Sequence, residues 1–264
     1  MTPPGGDACG LVKPVLRHPG SGTFSGVVLS ISDIQAVIVD LDGTMVDTLG
    51  DFEVALNRML AELDLPPVTR ALIERTVGKG SEHLVRTVLD HQLALPEVAA
   101  AGVVALDWPR EQVGALALER YQHHYFFING QYAGVYPGVT EGLERLRALG
   151  LPLACLTNKP LAFARTLLEI KGLESFFSQV FGGDSFDRKK PDPLPLIRTC
   201  EALGTLPQHT LMVGDSENDG RAARAAGCPV VLVSYGYNHG QPIADAPHDA
   251  LIGSLAELPA WLGA

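Results

Sequence analysis

The chain has 264 residues, 46% hydrophobic and 19% charged, a globular balance with enough length to bury a sizeable core. Its formal net charge of −10, from 20 basic and 30 acidic residues, argues against nucleic acid or an anionic membrane as the main partner. No apolar run approaches the roughly 18 residues needed to span a bilayer, and Cys9, Cys155, Cys200 and Cys228 lack metal-ligand spacing, so they read as small core residues in a reducing, cytoplasmic compartment.

Residues 1–26 are rich in Pro, Gly and Ser and lack a basic stretch followed by an apolar one. Residues 1–32 therefore read as a flexible N-terminal extension rather than a secretory signal. The first strand is expected over residues 34–39, a continuous apolar run that suits a central parallel strand covered on both faces and that ends at Asp40. Strand-like runs then vanish. Helical periodicity takes over in Phe52, Leu56, Met59, Leu60 and Leu63, then in Leu84, Val85, Val88 and Leu89, then in Leu116, Tyr121 and Phe126. Pro137-Gly138 marks the return of strand patterns.

Further strands are expected over residues 151–156, 179–181, 210–213 and 229–233. Helices between them are expected over 139–149, 160–171 (with Phe163, Leu167 and Ile170 on one face), 193–203 and 221–226, each stopped by a glycine. Strand and helix in alternation mean an α/β fold: a Rossmann-like parallel sheet core from residues 33–51 and 134–264, with an all-helical cap over 52–133. Such a cap can close over a small substrate and exclude water, with hinges near residues 48–51 and 133–136.

Four polar clusters fall just beyond expected strands or in the loops that follow: Asp40/Asp42, Thr157/Asn158, Lys190 and Asp215/Asp219. In open parallel sheets that edge is where ligands bind. Two carboxylates two residues apart repel unless a cation joins them, and Mg²⁺ held by Asp40 and Asp215 removes the conflict with oxygen ligands that it prefers. Asp40 can then attack phosphorus, while Asp42 protonates the leaving oxygen and later deprotonates the water that cleaves the aspartyl phosphate. Backbone N–H groups near Asp42, at Gly43 and Thr44, and the Thr157 hydroxyl can hold phosphoryl oxygens beside Asn158, and Lys190 can neutralise developing charge. Taken singly, Asp-Leu-Asp-Gly-Thr is a turn with a helix cap, Asp215-Ser216 a cap, and Lys190 beside Arg188 and Lys189 a solvated charge. Their occurrence together and in order favours chemistry.

The pattern Asp40-Leu41-Asp42-Gly43-Thr44, Thr157-Asn158, Lys190-Pro191-Asp192-Pro193 and Gly214-Asp215-Ser216-x-x-Asp219 resembles the haloacid dehalogenase superfamily. The resemblance implies that Asp40, the backbone carbonyl of Asp42 and Asp215 hold Mg²⁺, with Asp219 supporting the metal from near by. Several stretches resemble bacterial phosphoglycolate phosphatases within it: residues 42–48, Val77-Gly78-Lys79-Gly80, the passage from Asn129 to Val139, and residues 235–240. That implies 2-phosphoglycolate or another small phosphorylated substrate for a monomer or homodimer. A phosphosugar mutase on the same core is the alternative. A metal-free dehalogenase would leave Asp42 and Asp215 without a purpose, and a non-catalytic binding protein would not need every position filled.

Other signals carry less. Gly78-Lys79-Gly80 lacks the glycine spacing and closing Lys-Ser/Thr of a P-loop; Lys79 reads as a solvated lysine, with contact to a substrate carboxylate as the alternative. His123-His124 reads as cap packing, and His239 as a turn residue or a catalytic one.

Overall fold

The computed structural model describes residues 33–101 and 109–263. Strand β1 (Ala36–Val39) is buried along its whole length. Its alternation sends Val37 and Val39 into one apolar cluster and Ile38 into another on the opposite face of the sheet. After β1 the chain makes a tight turn, in which Gly43 N–H donates to Val46 O (2.9 Å) and Met45 N–H to Leu41 O (3.0 Å). It then enters the short β2 (Val46–Asp47).

Helices α1 (Leu49–Glu62), α2 (Arg70–Thr76), α3 (Ser81–Leu93), α4 (Pro96–Ala101) and α5 (Arg110–Ile128) follow before β3 (Gly134–Val135). β3 pairs antiparallel with β2, Asp47 opposite Gly134, so the helices leave and return through one two-stranded stem. Asp51 at the start of α1 reinforces that stem: it accepts from Gly130 N–H (2.6 Å) and Tyr132 N–H (2.7 Å). The helices have their own apolar cluster, including Phe52, Leu56, Met59, Tyr121 and Tyr125.

The rest alternates: α6 (Val139–Ala148), β4 (Leu153–Leu156), α7 (Leu161–Ile170), β5 (Gln179–Phe181), α8 (Leu194–Leu203), β6 (Thr210–Gly214), α9 (Glu217–Ala226), β7 (Val230–Val233), β8 (Ala250–Ile252) and α10 (Leu258–Trp261). Six strands form one parallel sheet in the order β5-β4-β1-β6-β7-β8. From β1 the chain moves outward to β4 and β5; from β6 it moves the other way to β7 and β8. The gap between the ends of β1 and β6 is thus the topological switch point, where open α/β sheets bind ligands. None of the described helices is long and apolar enough to cross a membrane.

The α/β class and the expected strands are present, with differences in detail. β2 and β3 have two residues each and β8 only three, too short for a periodic signal. In α5 the buried residues are Val113, Ala117, Tyr121, Tyr125 and Ile128, while Phe126 is 69% exposed. Tyr121 belongs to the inward face as expected; Phe126, one step beyond Tyr125, is turned about 100° away. Likewise α7 buries Ala164, Leu167 and Leu168 and leaves Ile170 at 54% exposure. Helix α9 starts at Glu217, four residues before the expected start, because Asp219 accepts from the Ser216 amide and hydroxyl and caps it. Cys155, Cys200 and Cys228 are buried, as their apolar neighbours suggest. The expected N-terminal extension, with Cys9, lies outside the described residues.

Candidate active site

Asp40 leaves the end of β1, its amide still donating to Val213 O (2.9 Å) on β6. That bond holds it at the switch point. The residue is only 8% exposed. Lys190 Nζ lies 2.9 Å from Asp40 Oδ1 and 2.7 Å from Asp219 Oδ1, and it donates to Leu156 O (2.7 Å) at the end of β4. The Lys190–Asp40 contact is an ion pair without hydrogen-bond alignment, so Asp40 Oδ1 has a charge partner but no donor. Burial works against the Lys190 charge, but Asp219 and Asp40 outweigh it and hold the ammonium above its ordinary value.

Asp215 follows β6 and is equally enclosed. Its Oδ1 accepts from the Thr44 hydroxyl (3.1 Å) and its Oδ2 from Tyr237 N–H (2.6 Å). Two glycines make this approach possible. A Cβ on Gly43, whose φ is +86°, would stand 2.1 Å from Asp215 Oδ2, and one on Gly236 would stand 2.2 Å from Asp215 Cβ. Gly43, expected to offer its N–H to a phosphoryl oxygen, instead donates it to Val46 O and serves this close approach, while Thr44 spends its hydroxyl on Asp215.

Carboxylate oxygens of Asp40, Asp215 and Asp219 lie within 4.8 Å of one another. Burial pushes the Asp40 carboxyl up to about 7, against the pull of Lys190 and with the Asp219 charge adding to the rise. Burial, then Asp219 and Asp40, push Asp215 well above the usual carboxylate range. Asp219 is already engaged on both oxygens, by Lys190 on Oδ1 and by Ser216 on Oδ2. Asp215 is likewise bonded on both oxygens, by Thr44 and Tyr237, so of the three carboxylates Asp40 alone keeps an oxygen without a hydrogen-bond donor. Four carboxylates (Asp40, Asp42, Asp215, Asp219) face two ammonium groups (Lys159, Lys190), a formal excess of two negative charges. A divalent cation fits that deficit, and the orphaned Asp40 Oδ1 fits an oxygen-liganded one.

Asp42 points elsewhere: its Oδ1 accepts from Lys159 Nζ (2.9 Å). Thr157, at the end of β4, uses its hydroxyl oxygen to accept from Lys159 N–H (3.2 Å), which leaves the hydroxyl hydrogen to donate. The Asn158 side chain is occupied as a brace: it donates to Lys190 O (2.8 Å) and Gly78 O (2.9 Å) and accepts from Lys190 N–H (3.0 Å). It therefore ties the Lys190 loop and the helical insert to the sheet.

Of these groups, Asp40, Asp42, Thr157, Asn158, Lys159 and Asp215 line one cleft of about 520 Å³, counted to its open mouth, while Lys190 and Asp219 are not part of its lining. Asp40, Asp42, Thr157, Lys159, Asp215 and Tyr237 come from the sheet edge; Phe52, Val77, Gly78, Gly80, Ser81 and Leu84 come from the helical insert. Lys79 is exposed and does not line the cleft. His239, with φ +51°, sits against Gly78 with its Nε2 3.2 Å from Asn218 Nδ2, outside the cleft lining. His124 pairs with Glu62 (2.7 Å) on the helical insert, as packing there would have it.

The family model of the haloacid dehalogenase-like hydrolases matches residues 34–227. The chain belongs to that family. It is 41% identical over 225 residues to a phosphoglycolate phosphatase of Thiobacillus denitrificans, covering 85% of this chain and 93% of the relative. It is 42% identical over 227 residues to the plasmid phosphoglycolate phosphatase of Cupriavidus necator, covering 86% and 92%. A crystal structure from Haemophilus somnus, described as that of "a predicted phosphoglycolate phosphatase", matches with a TM-score of 0.79 at 32% identity, over 86% of this chain and 97% of its own.

In this haloacid dehalogenase-like hydrolase no role for Lys159 or Asp51 is read from the sequence, and Tyr237 is placed only within the resembling stretch 235–240. Lys159 looks like any lysine until Tyr125 and Asp42 are brought to it. Tyr237 lies beyond the stretch that the family model matches, and its hydroxyl meets Asp47, Thr48 N–H and Tyr136 at the stem. Asp51 is a charged residue on a helix face that is otherwise apolar; an acid among Leu49, Phe52 and Ala55 was the signal available.

Proposed function

We propose that the protein is a Mg²⁺-dependent phosphatase that hydrolyses 2-phosphoglycolate to glycolate and phosphate through a phospho-aspartate on Asp40. The observation that carries this reading is the placement of Asp40, buried at the switch point with Asp215 and Asp219 within 4.8 Å and Lys190 against it. The relatives named phosphoglycolate phosphatase, alike over most of the chain, support the substrate.

Asp40 bonds to phosphorus as the ester oxygen departs, and Asp42 gives that oxygen its proton. Asp42 then takes a proton from water, whose oxygen bonds to phosphorus as the bond to Asp40 breaks. Thr157 donates its hydroxyl hydrogen to a phosphoryl oxygen, and Lys190 keeps Asp40 oriented and offsets its charge. Asp40, the Asp42 carbonyl and Asp215 would hold Mg²⁺, which supplies positive charge against the phosphoryl oxygens. Residues 52–133 act as the cap on a core of 33–51 and 134–264, and the apolar wall of Phe52, Val77 and Leu84 keeps water from the aspartyl phosphate.

The test is phosphate release from a panel of phosphometabolites with Mg²⁺, with Asp40→Asn as the blank. Release from 2-phosphoglycolate ahead of the rest supports the reading. Isomerisation of a sugar phosphate without net phosphate release would establish the mutase alternative instead.

A further inference from the structure

Lys159 is the only lysine, arginine or histidine among the described residues lining the cleft. Its side chain is 3% exposed, and Nζ donates to Asp42 Oδ1 (2.9 Å) and Tyr125 OH (2.7 Å). The same Nζ lies 4.7 Å from the ring centroids of both Phe52 and Tyr125. An ammonium has three donors, so one N–H remains after these two bonds.

We propose that Lys159 reads a second anionic group on the substrate, a carboxylate carried close to the phosphoryl group, and thereby selects phosphorylated short-chain acids over neutral phosphomonoesters. The inference rests on the phosphatase reading above and adds the residue that discriminates among phosphomonoesters. Asp40, Asp42 and Asp215 repel any second anion in this cleft, so a substrate that carries one needs a positive group within reach. Lys159 supplies it. Asp42 is two residues from Asp40 and directly bonded to Lys159, so the second anion must lie near phosphorus, which favours a short chain.

A purely structural role is the weaker account. Even paired with Asp42, a buried ammonium adds little or nothing to stability over an apolar side chain of similar volume, so packing alone does not account for a lysine between Phe52 and Tyr125. The two rings also favour a desolvated cation there. Because Tyr125 belongs to α5, an anion drawn to Lys159 is sensed by the helical insert as well as by the sheet edge.

The test compares kcat/KM for 2-phosphoglycolate and ethyl phosphate, with Mg²⁺, in the full-length wild type, Lys159→Met and Lys159→Arg. The wild type is expected to prefer 2-phosphoglycolate. Lys159→Met should lower kcat/KM for 2-phosphoglycolate by about 10- to 100-fold more than for ethyl phosphate, mostly through KM, the range expected for loss of a charge-assisted hydrogen bond. Lys159→Arg should restore part of the ratio. An equal fall on both substrates would reduce Lys159 to a clamp on Asp42 and overturn the inference, as would a wild type without preference.

A second measurement needs neither variant nor turnover. Phosphonoacetate should protect the wild type against thermal unfolding at about 10-fold lower concentration than methylphosphonate, which lacks the carboxylate. Equal protection overturns the inference. Absence of phosphate release from every phosphomonoester would instead sink the phosphatase reading, and the two phosphonates would still test Lys159.

Discussion

The backbone N–H of Tyr237 donates to Oδ2 of Asp215 over 2.6 Å, so the loop after β7 holds the carboxylate that ends β6. The Tyr237 hydroxyl accepts from Thr48 N–H (3.0 Å) and Tyr136 OH (3.3 Å) and donates to Asp47. One residue therefore joins the candidate metal ligand to β2 at Asp47 and to Tyr136, the residue that follows β3.

Tyr237→Phe keeps the backbone bond to Asp215 and removes the hydroxyl. It should cost about 1–3 kcal/mol of stability, because Thr48 N–H loses its acceptor in a buried place. The concentration of Mg²⁺ for half-maximal activity should change only a few-fold. Gly236→Ala should do the reverse: its Cβ would stand 2.4 Å from Asp215 Oδ2, so activity should fall by roughly 100-fold or more. Thermal unfolding and Mg²⁺ titration of the two variants separate the effects.

Lys190→Met leaves Asp40 and Asp219 buried without their shared cation. Removing one partner of such a pair costs about 3–5 kcal/mol, and phosphate release should be lost with it. Lys190→Arg should not rescue activity, since Nζ already meets oxygens of Leu156, Asp40 and Asp219 in a closed space that a guanidinium exceeds. Substantial activity in the Arg variant would show that charge suffices there.

Stability of the metal-free protein should fall as pH rises from about 4, the ordinary Asp value, to about 7, the raised Asp40 value. The sign follows from proton counts: in that window folded Asp40 holds a proton that the unfolded chain has lost, so raising pH favours unfolding. Asp215 acts in the same direction. Mg²⁺ binds the deprotonated form, so it should raise Tm more at pH 8 than at pH 5. Asp215→Asn should flatten both trends. Equal stabilisation by Mg²⁺ at the two pH values would count against a metal on these carboxylates.

Asp51 is fully buried, and its two oxygens accept the amides of Gly130 and Tyr132. Asp51→Ala should cost about 3 kcal/mol, in line with losing charge-assisted bonds to buried amides. KM should rise more than kcat falls if the insert then closes poorly. A variant as stable as the wild type would show that β2 and β3 hold the stem unaided.

How much of this was legible in sequence depends on the range of the interactions. β1, β4, β6 and β7 announce themselves as unbroken apolar runs because a parallel strand is covered on both faces. Asp40, Thr157 and Asp215 were placed by those runs, since each follows one directly. Lys159 was not, because its setting comes from Tyr125, 34 residues away, and Asp42, 117 away. The stem escaped for a different reason: two-residue strands have no period to detect, and their pairing depends on Val46 and Asp47 meeting Val135 and Gly134 across the whole insert. Phe126 misled because hydrophobicity alone does not say which side of α5 it occupies; Tyr125 and Ile128 do.

The pairing of Asp47 with Gly134 gives the helical insert the topology of a greatly enlarged hairpin loop. Its two ends are neighbours, so the backbone path of the six-stranded sheet is indifferent to what hangs between them. A different insert, or a short turn, could be grafted at residues 48–133 without shifting any register of the sheet. What would not transfer is the Lys159 seat, because Phe52 and Tyr125 travel with the loop while Lys159 and Asp42 stay behind. Substrate choice in such a chimera would therefore have to be rebuilt at that seam.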